Sequence, residues 1–259
     1  MRKIQLVLVA LIVLILSAFK ADHVITIYMI GDSTMSNKPL EGNNQERGWG
    51  HVLGSFFTED VRVENHAMNG RSSKSFIDEG RWKTVVNKIR PGDYVFIQFG
   101  HNDEKPQPER HTDPGTTFDE NLRKFVRETR AKGGIPVLFN SIVRRNFGVN
   151  PDAVAADDIR PEKDEAVVEG DTLIDTHGKY LESPRNVAKE MDVCFIDLNQ
   201  ATKKLVESYG VEGSKKLFMW IPADTYAACP KGRQDNTHLN IYGAVSYTHL
   251  RAHETCADL

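Results

Sequence analysis

The sequence holds only three cysteines among 259 residues, Cys194, Cys229 and Cys256, with no Cys-x-x-Cys spacing. That scarcity excludes a disulfide-stapled mini-domain, a zinc ribbon and a thioredoxin-type redox motif. Cys194 lies inside an apolar run and reads as a core residue, while a bridge from Cys229 to Cys256 is compatible with an exported protein. Basic charge is not in excess either, since 33 Lys and Arg face 36 Asp and Glu for a formal charge of −3. Losing Arg2 and Lys3 takes that value to −5, which argues against nucleic acid or an anionic membrane as partner. No internal repeat and no low-complexity tract is present.

What the chain does have is the composition of one ordinary globular domain, 40% hydrophobic and 27% charged, able to bury a full core without staples. Its amino terminus stands apart. Arg2 and Lys3 precede an apolar run over 4–16, and the small residues Ser17 and Ala18 follow. The run is short for a membrane span, so residues 1–21 read as a secretory signal cut near Ala18 or Ala21. The alternative is an uncleaved anchor. The expectation is a secreted or periplasmic protein with no stable membrane insertion after signal removal and a working domain over 22–244.

Short runs of branched and aromatic residues then alternate with helical patterns, which predicts a mostly parallel sheet covered on both faces, an α/β protein. Strands are expected at 24–30, 61–66, 93–99, 135–141 and 193–198, and helices at 49–57, 73–89, 118–132, 184–191 and 201–209. Thr117 and Glu120 have capping-box spacing at the start of the third helix, and Gly133-Gly134 ends it. The charged, aperiodic stretch 146–175 reads as a long insertion loop near the site.

In an open parallel sheet, ligands sit beyond the carboxyl ends of the strands. The residues there are Gly31-Asp32-Ser33, then 65–70, then Gly100-His101-Asn102-Asp103, then 141–145. The Gly-x-Ser-x-Gly elbow of the common α/β-hydrolases is missing. Ser33 alone suits a helix cap as well as a nucleophile. Asp235 and His238, three residues apart, change the balance: an imidazole can take the serine proton and return it to a leaving group, and a carboxylate on its other nitrogen fixes the tautomer. Gly70 offers an unobstructed N–H and Asn102 an amide for a developing oxyanion. A turn glycine and a loop-stabilising amide are the plainer alternatives.

Ordered as Ser33, Gly70, Asn102 and His238, with Asp235 at Asp-x-x-His spacing, this set resembles the SGNH (GDSL-type) hydrolase superfamily. The longer strings Gly-Asp-Ser-Thr, Arg-Gly-Trp-Gly, Asn-Gly-Arg-Ser-Ser-Lys-Ser-Phe, Gln-Phe-Gly-His-Asn-Asp and Asp-Asn-Thr-His-Leu-Asn are similar to the rhamnogalacturonan acetylesterases, over residues 26–244. The resemblance implies a flavodoxin-like three-layer α/β/α fold with a five-stranded sheet. It also implies removal of acetyl groups from pectic polysaccharide with no metal and no cofactor. Ser33 would attack, His238 and Asp235 would move the proton, and the N–H groups of Ser33 and Gly70 with the Asn102 amide would form the oxyanion hole. The implied partner is an acetylated polysaccharide or oligosaccharide. Acetylated xylan, sialic acid or a lipid ester is the alternative within the superfamily, and a non-catalytic carbohydrate-binding protein the alternative outside it.

Arg71, Arg144 and Arg145 lie near the expected rim, where a guanidinium fork matches a galacturonate carboxylate. Trp49, Trp82 and Trp220 suit either sugar stacking or packing. His101, Asp103 and Glu104 lack a second histidine at ligand spacing, so no metal site is expected. Beyond Ala244 the pattern loses a clean apolar face, and residues 245–259 read as foreign sequence in place of a closing helix.

Overall fold

In the strand Ile25–Gly31 (β1), successive side chains go to opposite faces of a sheet, Ile27 and Met29 to one core and Tyr28 and Ile30 to the other. That two-sided burial is why the strand reads as an unbroken apolar run. The computed structural model describes residues 24–147 and 172–251. The expected signal at 1–21, most of the 146–175 loop, and Cys256 within the tail lie outside the described residues. Val61–Asn65 (β2), Tyr94–Gln98 (β3), Ile135–Phe139 (β4) and Cys194–Ile196 (β5) complete one sheet in the order β2-β1-β3-β4-β5. All four pairings are parallel. The order reverses between β1 and β3, and such a switch point opens a crevice at the carboxyl ends.

One face of the sheet packs on Trp49–Val52 (α1), and later in the chain on Leu198–Gly213 and Ile241–Arg251. The other face packs on Ser73–Asp78 (α2), Arg81–Val86 (α3), Thr117–Ala131 (α4) and Glu182–Met191 (α5). The two later helices of the first face are α6 and α7. In α4 the residues Phe118, Leu122, Phe125 and Val126 are buried, the apolar stripe of a helix lying on a sheet. The three-layer α/β expectation holds.

Several local expectations are corrected. The helix expected over 73–89 is two, because Gly80 turns the chain at φ 71 and starts α3. The helix expected over 49–57 is one α turn followed by the 3-10 segment Leu53–Phe56. Thr117 makes no capping box; its hydroxyl accepts from the Asp113 N–H at 2.7 Å, and a reciprocal cap is instead found at Ser72 and Ser75. Two strands were not foreseen. Phe218–Ile221 (β6) and Arg233–Leu239 (β7) form an antiparallel pair, and β7 is so polar that its sequence reads as loop. Residues 245–251 continue α7 rather than losing helical pattern. Ala244, Tyr247 and Thr248 are buried at helical spacing, with Tyr247 edge-on to Phe218 and the Thr248 hydroxyl donating to the Trp49 carbonyl at 2.9 Å. Cys229 is a free thiol, whereas Cys194, expected in the core, is half-buried and disulfide-bonded.

Candidate active site

The loop after β1 begins with a close approach of backbones. A Cβ on Gly31 would lie 2.6 Å from the Gln98 carbonyl oxygen of β3. Asp32, fully buried, accepts from the Thr34 N–H at 2.9 Å and the Thr34 hydroxyl at 2.7 Å. Those bonds tighten the turn that carries Ser33 outward. Burial pushes the Asp32 carboxyl above its ordinary value despite the Thr34 bonds.

β7 brings the second half of the site to the same place. His238 Nε2 lies 2.9 Å from Ser33 Oγ, and His238 Nδ1 lies 2.8 Å from Asp235 Oδ2. A carboxylate can only accept here, so Nδ1 carries the proton and Nε2 presents its lone pair to the serine hydroxyl. The other carboxylate oxygen accepts from the N–H groups of Thr237 at 2.8 Å and His238 at 2.9 Å. Burial pushes the Asp235 carboxyl up, yet the His238 hydrogen bond and the charges of His238 and Arg233 outweigh it and hold it at about 2. Burial pulls the His238 imidazole down, and the Asp235 bond and charge overcome that to raise it above its ordinary value of 6.5.

The loops after β2 and β3 are tied to this pair. The Met68 N–H donates to the Gly31 carbonyl at 3.0 Å, and the Ser36 hydroxyl donates to Asn69 Oδ1 at 2.6 Å. Gly70 has φ 73 with open space where a Cβ would be. The N–H groups of Ser33 and Gly70 have no acceptor among the described residues. Asn102 Nδ2 donates to the Arg71 carbonyl at 3.3 Å, while its Oδ1 accepts from Arg110 Nη1 at 3.2 Å. That pair of bonds fixes which way the amide points. The oxyanion candidates of the sequence therefore belong to three loops that are hydrogen-bonded to one another.

The arginines divide differently. Arg71 is partly exposed at the rim and pairs with Glu79 at 3.0 Å. Arg144 and Arg145 are buried, which corrects the expectation that they face substrate. Arg144 binds Glu104 and the Thr176 hydroxyl. Arg145 donates to Ser214 Oγ at 2.9 Å, Asn236 Oδ1 at 3.1 Å and the Val211 carbonyl, with Trp220 stacked on its guanidinium. Trp49 and Trp82 are core residues. Sequence reasoning passed over Arg110, whose signal is its place eight residues beyond Asn102. It also passed over His177, which lies against Glu104 at 2.9 Å and edge-on to the buried His101 ring at 4.5 Å. Asp103 serves another purpose, accepting from the Ser73 N–H at 3.0 Å and the Thr112 hydroxyl at 2.9 Å to hold the loop on α2.

Residues 29–243 match the model of the GDSL-like lipase/acylhydrolase family. The chain belongs to that family. Like other GDSL-like acylhydrolases it is a hydrolase of carboxylic esters. It is 39% identical over 228 residues to rhamnogalacturonan acetylesterase RhgT of Bacillus subtilis, covering 88% of each chain. Among solved structures, protein YxiM of Bacillus subtilis superimposes with a TM-score of 0.69 at 26% identity, over 89% of this chain and 55% of that one. The acetylxylan esterase Axe2 of Geobacillus stearothermophilus shares the fold of this GDSL-like chain, with a TM-score of 0.56 at 16% identity over 88% and 93%.

Proposed function

We propose that this chain is an exported serine esterase that removes O-acetyl groups from rhamnogalacturonan-type pectin through an acetyl-enzyme. The observation that carries the reading is the row Asp235, His238, Ser33, closed by hydrogen bonds of 2.8 and 2.9 Å at a rim with two N–H groups lacking an acceptor among the described residues. Ser33 Oγ attacks the acetyl carbonyl carbon as His238 Nε2 takes its proton. The oxyanion collects hydrogen bonds from the N–H groups of Ser33 and Gly70 and from Asn102 Nδ2. Collapse breaks the bond to the sugar oxygen, which leaves with the proton from Nε2. Water then attacks the acetyl-serine, its proton passing to Nε2, and acetate departs as the serine hydroxyl is restored.

Identity to the named rhamnogalacturonan acetylesterase over most of both chains supports the pectic substrate, and the basic and apolar pattern of residues 1–21 supports a secreted or periplasmic location. Acetate release from acetylated rhamnogalacturonan, acetylated xylan and a short-chain lipid ester tests the substrate. We expect the pectic substrate to turn over fastest, and equal or faster release from xylan overturns the choice.

A further inference from the structure

Asp235 Oδ2 accepts from His238 and also from Arg233 Nη2. Arg233 and Asp235 stand two residues apart on β7, so both side chains leave the same face of the strand. The other end of the guanidinium donates to Glu46 Oε2 at 2.5 Å, and Glu46 Oε1 takes Lys38 Nζ at 2.7 Å. Lys38, with only 2% of its side chain exposed, then donates to Asn69 Oδ1 at 2.6 Å, one residue before Gly70. The loop bearing Lys38 and Glu46 is itself fastened to β7, since the Arg47 N–H donates to the Leu239 carbonyl at 3.0 Å.

We propose that Lys38, Glu46 and Arg233 are positioning residues of the esterase. They form one row of alternating charge, buried at Lys38 and Asp235 and partly buried at Glu46 and Arg233, that ties the Asp235 carboxylate to the Asn69 amide beside Gly70, so that base and oxyanion donors are held in register. The proposal rests on the serine-esterase reading above. Glu46 lies between the opposite charges of Lys38 and Arg233, and Arg233 between those of Glu46 and Asp235, so removing any one charge takes a partner from its neighbour. Arg233 Nη2 also lies 3.3 Å from His238 Nδ1. It has no lone pair to accept with, so Glu46 must draw the guanidinium aside for Nδ1 to keep Asp235 as its partner. The charged and titratable groups facing His238 are Asp235 and Arg233 on β7, Lys38 and Glu46 on the loop before α1, Asp32 after β1 and His101 after β3.

The test is the pH profile of kcat/KM on a neutral acetate ester, with folding checked by circular dichroism. Glu46→Gln takes a negative charge from the field at His238, so its acid limb moves down by about half a pH unit; Lys38→Met takes a positive one, so its limb moves up by a similar amount. Both lose about tenfold in kcat with KM little changed, and Glu46→Asp and Lys38→Arg keep the midpoint. Midpoints that stay put, or move together, overturn the proposal. Should one neutral variant fail to fold, the other decides by its own sign. Should both fail, undiminished kcat in Glu46→Asp and Lys38→Arg overturns it. Labelling of Ser33 by a serine-directed phosphonate in the unaltered protein separates the two readings. No labelling removes the esterase mechanism and this proposal with it, whereas labelling with immobile pH profiles removes this proposal alone.

Discussion

In Asp235→Asn the side chain keeps one acceptor oxygen, and the backbone decides where it goes. The N–H groups of Thr237 and His238 hold Oδ1 at 2.8 and 2.9 Å, so the amide oxygen stays there and its NH2 takes the place of Oδ2. That NH2 faces His238 Nδ1 and donates to it. The imidazole proton must then sit on Nε2, where it points at Ser33 Oγ and blocks the base. A triad with the wrong tautomer loses about 10⁴ in kcat, or roughly 5.5 kcal/mol of transition-state stabilisation. The same NH2 also meets Arg233, which loses one of its two counter-charges and keeps Glu46. A carboxyl held at about 2 against an ordinary 3.8 contributes roughly 2–3 kcal/mol to stability at neutral pH. Because the folded value is depressed, that contribution is complete above pH 3.8 and fades as pH falls through 2. The deficit of the variant in urea denaturation should therefore be about 2–3 kcal/mol at pH 7 and vanish at the acid end. Initial rates of acetate-ester hydrolysis supply kcat. A folded Asp235→Asn protein within tenfold of the unaltered kcat would refute the tautomer argument.

Arg110→Met frees the Asn102 amide to rotate, and kcat on a neutral acetate ester should fall about tenfold; unchanged kcat would show that Arg110 does not orient the amide. Arg145→Met removes charged donors from Ser214, Asn236 and Val211, of which Asn236 keeps Trp220 and Val211 keeps Ser214 as donors, and urea denaturation should show a loss of about 1–3 kcal/mol with KM on uronate oligosaccharides unaltered. A raised KM at full stability would restore its role toward substrate. Gly31→Ala places a Cβ 2.6 Å from the Gln98 carbonyl, forcing β1 from β3 at a cost of about 1–3 kcal/mol; a Tm equal to that of the unaltered protein would contradict the close approach.

The central sheet was legible because β1, β3 and β4 are buried on both faces and must be apolar throughout. β7 was not, since Arg233, Asp235 and Thr237 are polar on the face whose Leu239 joins the core, and His238 serves the site from the other face. The continuation of α7 was missed for a related reason: Tyr247 and Thr248 fill the buried positions, and the hydroxyl of one is satisfied by the Trp49 carbonyl, so polarity hid a packed face. Ser33, Gly70, Asn102, Asp235 and His238 could be found because each sits at a strand end or in a fixed short spacing. Arg144 and Arg145 misled because proximity to the rim in sequence says nothing of direction, and both turn inward to protein acceptors. Lys38, Glu46 and Arg233 carry no spacing signal at all, being joined only where the loop before α1 meets β7.

Mass spectrometry on enzyme quenched in acid during turnover of an acetylated rhamnogalacturonan oligosaccharide tests the acetyl-enzyme directly. We predict one acetyl group on the peptide bearing Ser33, and neither that adduct nor acetate release in Ser33→Ala. Continued acetate release by Ser33→Ala, with no acetyl group found on Ser33 in the unaltered protein, would contradict the mechanism.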